Sequence, residues 1–181
     1  MTTPAQIPGY QAGTWIIEPV NSDVSFTVRY LGVTRVHGRF NEIAGEIVTG
    51  PTVAGSSVRA SIAAASIDTG FPGRDNYLRG GDVLRADEHK ELSFVSTGIR
   101  AAAGELAIDG GLTIRGVTRP VSLALQPGGF AADPAEGGHV LGLSATTTIT
   151  RAEFGFSQKL PAAVISDSIT VQLDIQARLA A

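Results

Sequence analysis

The sequence contains no cysteine in its 181 residues. This absence excludes disulfide bonds, thiolate catalysis and zinc sites built from thiolates. It also lacks any stretch close to the ~20 consecutive apolar residues of a membrane-spanning helix. Neither sign of charge dominates, because 14 basic and 17 acidic residues leave a formal net charge of −3. That balance does not favour nucleic acid or an anionic membrane surface as the main partner.

The N-terminal residues lack the features of a secretory signal, having neither a basic segment nor an apolar run of seven. We therefore expect a cytoplasmic protein, or a periplasmic or secreted one if the native start was trimmed. The length fits one domain with a sizeable core. We interpret residues 1–12 as a flexible segment and residues 13–181 as a single domain.

The sequence is dominated by apolar residues that alternate with polar ones. In residues 23–30, for example, Val24, Phe26, Val28 and Tyr30 share one face of a predicted strand. Similar runs occupy residues 35–40, 43–47, 57–67, 92–98, 106–114, 121–125, 141–149 and 169–179. The phase of the alternation changes at 41–42, which indicates a β-bulge within one long, bent strand.

These strands predict an all-β fold. Runs of about ten residues correspond to strands of ~33 Å, which are long for an immunoglobulin-like sandwich. Closure into a barrel also removes exposed sheet edges. We therefore predict an extended, eight-stranded antiparallel barrel of lipocalin-like shape, with a short helical segment around residues 74–86 that could cover the barrel mouth.

Small residues are frequent on the predicted inward faces, and two interpretations of them stay open. Either they leave room for an apolar ligand, or bulky side chains opposite fill the gaps. The residues concerned are Gly38, Gly45, Ala60, Ala64, Ser96, Gly98, Gly110 and Ala145.

The triplet Asp68-Thr69-Gly70 matches the catalytic triplet of aspartic proteases. Those enzymes need two facing carboxylates, and the sequence offers no second Asp-Thr/Ser-Gly triplet. The structural alternative is a strand that ends in an Asx-type turn, with Gly70 at an unusual backbone dihedral angle. The three histidines are far apart in the sequence, so we predict no metal site. No nucleophile elbow or phosphate-binding loop is present.

Several motifs, taken in order along the chain, resemble the YceI-like family of polyisoprenoid-binding or lipid-binding proteins. They are Gly13-Thr14-Trp15-Ile16-Ile17, Asn21-Ser22-Asp23-Val24-Ser25-Phe26, Val36-His37-Gly38-Arg39-Phe40, Ser66-Ile67-Asp68-Thr69-Gly70, Leu112-Thr113-Ile114-Arg115-Gly116-Val117-Thr118-Arg119-Pro120-Val121 and Arg151-x-x-Phe154-Gly155. The chain departs from the family at 79–90, where aliphatic residues replace the usual aromatic ones.

The resemblance implies an eight-stranded barrel around a long apolar tunnel, which would hold an isoprenoid quinone precursor or another long-chain amphiphile. It also implies a homodimer. We therefore expect a non-enzymatic carrier with no cofactor other than a bound lipid. The alternatives are an aspartic hydrolase that uses Asp68 and a ligand-free barrel that acts through a structural or dimerisation surface.

The candidate ligand-binding residues fall into two groups. The candidates for the apolar lining are Phe26, Val28, Phe40, Ile62, Phe94, Leu143 and Phe154. The candidates for the polar end of the ligand are Arg74, Asp75, Tyr77 and His89.

Overall fold

The computed structural model describes residues 7–102, 104–155 and 161–180. These residues form eleven strands and two short α-helices. The strands are β1 (Gly13–Ile17), β2 (Asp23–Tyr30), β3 (Thr34–Phe40), β4 (Ile43–Thr49), β5 (Ser57–Ala63), β6 (Ile67–Asp68), β7 (Glu91–Ala102), β8 (Glu105–Ile114), β9 (Val117–Ala132), β10 (His139–Thr150) and β11 (Ser168–Leu179). The helices are α1 (Pro72–Arg79) and α2 (Arg151–Phe154).

The strands close into a barrel through antiparallel pairs. The order β1-β4-β5-β7-β8-β9-β10-β11 returns to β1, which pairs with the C-terminal end of β11. The N-terminal half of β11 pairs with β2, which continues to β3 and β6. Thus β1 with β2, β4 with β3, and β5 with β6 each act as one interrupted long strand. The predicted eight-stranded antiparallel barrel is confirmed.

The phase change at residues 41–42 marks an interruption between β3 and β4. The two residues leave the strand ladder, whereas we predicted a one-residue bulge within a continuous strand. Their backbone N–H groups bond instead to Ser66, since Asn41 N donates to its carbonyl oxygen at 3.1 Å and Glu42 N to its Oγ at 3.2 Å. The interruption therefore leaves neither N–H group unpaired.

One end of the barrel is closed by aromatic side chains. Trp15 is fully buried, and its indole N–H donates to Thr49 Oγ1 at 2.9 Å. The Phe130 ring meets the Trp15 and Tyr10 rings edge-on, with centroids 5.1 and 5.2 Å apart. These contacts close this end of the barrel around Trp15.

The chain before β1 packs against the same closed end. Ile7 is buried in a small cluster with Val53 and Leu106, and the Tyr10 hydroxyl donates to Gly50 O at 2.8 Å. Residues 1–6, which belong to the segment predicted to be flexible, lie outside the described residues.

The opposite end is covered by α1 and the turns that follow it. The helix starts at Pro72, two residues before the predicted segment, because proline fits the first helical position. It stops at Gly80, and Val83 and Leu84 then enter the core under the helix. The predicted helical segment is thus one helix followed by turns.

Candidate ligand-binding cavity

The barrel encloses a cavity of about 470 Å³ that extends from the middle of the strands to the α1 end. Inward-facing aliphatic and aromatic side chains from the strands, together with Leu78, Val83 and Leu84 from the cover, form most of its wall. The polar side chains that line it are Ser25, Tyr30, Thr69, Arg74, Tyr77, Thr147 and Arg151. The described wall contains no carboxylate. Its size and character are those of a pocket for an apolar ligand.

Six of the seven predicted lining residues face the cavity. They are Phe26, Val28, Phe40, Ile62, Phe94 and Leu143. Phe154 does not line it. The side chain of Phe154 lies on α2, where strand alternation no longer applies, and it is 1% exposed in a cluster with Ile149 and Ile169.

The small inward residues accommodate aromatic rings. A Cβ on Gly38 would lie 2.2 Å from Cζ of Phe26, and a Cβ on Gly110 would lie 2.5 Å from Cζ of Phe94. These rings therefore lie flat on the glycines of neighbouring strands, as when an aromatic side chain covers a strand glycine. Large side chains do fill these local gaps, yet the centre of the barrel stays open.

At the covered end, α1 is held by Thr69. The Asp75 carboxylate accepts hydrogen bonds from Thr69 N at 2.8 Å and Thr69 Oγ1 at 2.5 Å. Arg74 donates to Thr69 Oγ1 at 2.7 Å and to Thr69 O at 2.8 Å. Asp75 is 6% exposed and does not line the cavity, whereas Arg74 does. Asp75 therefore fixes the cover.

A second anchor comes from the last turn of α1. Arg79 donates to Ala65 O at 2.9 Å and to Ile67 O at 3.0 Å. The helix is thereby tied to the backbone on both sides of the turn that leads into β6.

Two tyrosines stand at the rim of the cavity. Tyr30 and Tyr77 line the cavity and are also 43% and 40% exposed. Within the described part of the chain, neither hydroxyl makes a hydrogen bond. They therefore offer free polar groups where the apolar wall ends.

His89 lies away from the cavity. Its imidazole ring packs against the turn between β8 and β9, so a Cβ on Gly116 would lie 2.9 Å from His89 Cε1. The sequence placed His89 near the mouth because of its charged neighbours, and charge alone does not give the direction of a side chain.

Sequence reasoning missed Tyr30, Thr69 and Arg151 as lining residues. Arg151 is 4% exposed and donates to Ile165 O at 2.9 Å, Ser166 O at 3.1 Å and Asp167 Oδ1 at 3.2 Å. The alternation of inward and outward residues already indicated two of these positions. Arg151 continues the odd-numbered inward series that includes Ile149, and Thr69 follows Ile67 in the same way.

Asp68 lies outside the cavity wall. It follows the inward-facing Ile67 on β6, so its side chain points outward. Its Oδ1 accepts from Gly70 N at 2.9 Å, and Gly70 has a φ of 81°. Hydrogen bonds from Gly70 N and Asn41 lower the pKa of Asp68. This geometry is the Asx-type turn that the sequence offered as the structural alternative to a catalytic triplet.

In residues 7–102, 104–155 and 161–180, no group of three or more histidine, aspartate or glutamate side chains could hold a metal ion. Neither described helix has the length and apolar character needed to cross a membrane.

Comparison with known proteins places this barrel in a family. A model of the YceI-like domain matches residues 15–177. UPF0312 proteins of Shewanella sp. strain ANA-3 and Shewanella baltica strain OS185 are each 32% identical over 162 residues, which cover 87% of this chain and 81% of the relative.

Solved structures share the fold. Burkholderia cenocepacia BcnA superposes with a TM-score of 0.77 at 21% identity, covering 88% of this chain and 98% of BcnA. A polyisoprenoid-binding domain from Saccharophagus degradans superposes with a TM-score of 0.68 at 14% identity, covering 94% of this chain and all of that domain. The chain belongs to the YceI-like family.

Proposed function

We propose that this protein binds a long-chain apolar ligand inside the barrel and transports or stores it without catalysing a reaction. The observation that carries the proposal is the 470 Å³ cavity with its almost wholly apolar wall. The fold shared with a polyisoprenoid-binding domain supports the same ligand class. Polyisoprenoids, isoprenoid quinones and fatty amides all belong to it.

Apolar contact supplies most of the affinity. Each buried methylene contributes about 0.8 kcal/mol, so a chain of ten carbons already gains about 8 kcal/mol before the costs of association. Such a site selects by length and width. We therefore expect loose specificity among unbranched and isoprenoid chains.

The polar end of the ligand lies at the rim in this proposal. Arg74, Tyr30 and Tyr77 line the cavity there, and Arg74 keeps one amino group without a hydrogen bond in the described part of the chain. All three can donate hydrogen bonds. A carbonyl, hydroxyl or anionic head group therefore complements this end.

The first test is direct. Protein purified from cells is extracted with organic solvent, and the extract is analysed by mass spectrometry. A co-purifying long-chain amphiphile is expected. Repeated extracts without one, from protein that also fails to bind the apolar fluorophore N-phenyl-1-naphthylamine, would rule out the proposal.

A matched pair of variants localises the binding. Val171 lines the cavity, whereas Val95 is 46% exposed on the outside of the barrel. Val171→Phe fills part of the cavity and should weaken binding of N-phenyl-1-naphthylamine at least tenfold. Val95→Phe adds the same ring outside and should bind as the wild type does. Equal binding by both variants would place the site elsewhere.

A further inference from the structure

The rim of the cavity carries exposed apolar side chains. The hairpin between β2 and β3 pairs Tyr30 with Thr34, which leaves Leu31, Gly32 and Val33 as its tip. Leu31 is 51% exposed and Val33 is 76% exposed. On the α1 side of the same rim, Phe71 is 61% exposed. Solvent-facing apolar residues are thus concentrated around the mouth.

The tip is unusual in its backbone as well as its exposure. Leu31 has a φ of 55°, in the left-handed region that asparagine and glycine adopt more readily. A leucine at this position has an unfavourable backbone conformation and exposes apolar side-chain surface to water. Leu31 N donates to Val164 O at 2.8 Å, so the tip is held in this conformation by its backbone, while about half of the Leu31 side chain stays open to solvent and to a partner.

Two arginines stand directly behind the tip. Arg29 and Arg35 face each other in the β2–β3 register, are exposed, and make no side-chain hydrogen bond or ion pair with any described residue. Arg39 and Arg100, elsewhere on the outer surface, have the carboxylate partners Asp23 and Asp109, whereas Arg59, like the hairpin pair, has none among the described residues. The hairpin therefore keeps a local positive charge on a chain whose net charge is negative.

This spacing matches the profile of a lipid interface. Arg29 and Arg35 each lie two positions along the chain from the tip residues Leu31 and Val33, a distance of ~7 Å. Apolar side chains of interfacial proteins enter the headgroup and acyl boundary by about 5–10 Å, and arginines behind them meet the lipid phosphates. The flat surface of another protein would not require apolar side chains at the tip and cationic side chains ~7 Å behind them.

We propose that the β2–β3 hairpin docks the barrel mouth on an anionic membrane surface. Tyr30 belongs to the hairpin and also lines the cavity. Docking of the hairpin therefore brings the bilayer next to the wall of the cavity. This inference extends the proposed function, since the bilayer becomes the source or destination of the ligand.

Flotation of the full chain with vesicles tests the proposal. One set of vesicles is phosphatidylcholine alone, and the other contains equal parts of phosphatidylcholine and phosphatidylglycerol. The wild type should float preferentially with the anionic set. The double variant with Arg29→Gln and Arg35→Gln should lose most of that preference, because each arginine removed should weaken binding to the anionic vesicles roughly fivefold.

A matched pair of valines isolates the apolar contribution. Val20 is 90% exposed and precedes β2. The eight residues of β2, which span ~26 Å, separate it from the tip. Val33→Asn should weaken vesicle binding roughly tenfold, whereas Val20→Asn should not change it. Absence of flotation, or equal flotation of the two variants, would overturn the proposal.

Binding of N-phenyl-1-naphthylamine in solution, measured on the same variants, separates this proposal from the function it extends. If the Val33→Asn variant no longer floats with vesicles but still binds the fluorophore, the result supports docking. Flotation without fluorophore binding would support docking while contradicting the carrier function. The wild type could instead fail to float and self-associate in a way that Val33→Asn abolishes. That result would assign the tip to contact with a second copy of this chain and overturn membrane docking.

Discussion

The cover of the barrel should depend on one buried carboxylate. Asp75 lies in the first turn of α1, is 6% exposed and accepts two hydrogen bonds from Thr69. Replacing it with alanine leaves the Thr69 N–H and hydroxyl without that acceptor. It also removes a negative charge from the N-terminal turn of a helix, where such a charge is favourable.

The size of the effect follows from those two bonds. A hydrogen bond to a charged group contributes about 1.5–3 kcal/mol, so two bonds left unmade would cost about 3–6 kcal/mol. Thr69 is half-buried, and water can replace part of the loss. We therefore expect Asp75→Ala to lower the free energy of unfolding by about 2–4 kcal/mol. In a chain of this size, this corresponds to a fall in Tm of roughly 5–15 °C.

Urea unfolding followed by circular dichroism measures this difference. Asp75→Asn keeps an acceptor oxygen without the charge and should lie between the wild type and alanine. Asp87→Ala removes an exposed carboxylate close by, with no described partner, and should stay within about 0.5 kcal/mol of the wild type. If Asp75→Ala were no less stable than Asp87→Ala, the anchoring role of Asp75 would be wrong.

Two further predictions concern the outer surface and the strand packing. Hydrogen bonds from Arg100 and Ser122 lower the pKa of Asp109 to about 2. The stability that this ionised group contributes is fully present above about pH 4 and is lost as the pH falls towards 2. Thermal melts should therefore show a stability difference between wild type and Asp109→Asn that shrinks over that range; a constant difference would contradict the assignment. A Cβ on Gly110 would meet Val95 O at 2.5 Å, so Gly110→Ala should destabilise the barrel by about 1–3 kcal/mol in urea unfolding. Gly98→Ala, with nothing within 4 Å, is the control, and equal stability of the two would refute the close approach.

Strand alternation placed six residues that line the cavity on an inward face, because side chains on a strand point to opposite faces in turn. Phe26, Phe40 and Phe94 could be assigned inward on that basis alone. The rule failed for Phe154 because the chain turns into α2 just before it. Tyr30 already shared the inward face of the 23–30 run, and extending the rule past the 141–149 run would have added Arg151.

Other features depend on contacts between distant parts of the chain. β2 pairs with β11, which joins Val24 to Leu173 across most of the sequence. The turn at Pro19–Asn21 divides the first long strand into β1 and β2, and both parts pair with β11, a partner about which local periodicity carries no information. The directions of Asp75 and His89 likewise depend on Thr69 and Gly116, which no spacing rule connects to them.

The segment in which this chain departs from the family pattern contributes to the cavity wall as well as covering it. Val83 and Leu84 are each 5% exposed and line the cavity from the covered end. Because these side chains are aliphatic, they offer a bound ligand dispersion contacts without the preferred ring geometry of aromatic residues. Their position depends on α1, which Asp75 and Arg79 fix to the barrel. Loosening that anchor should therefore disturb the ligand-binding surface along with the stability of the fold.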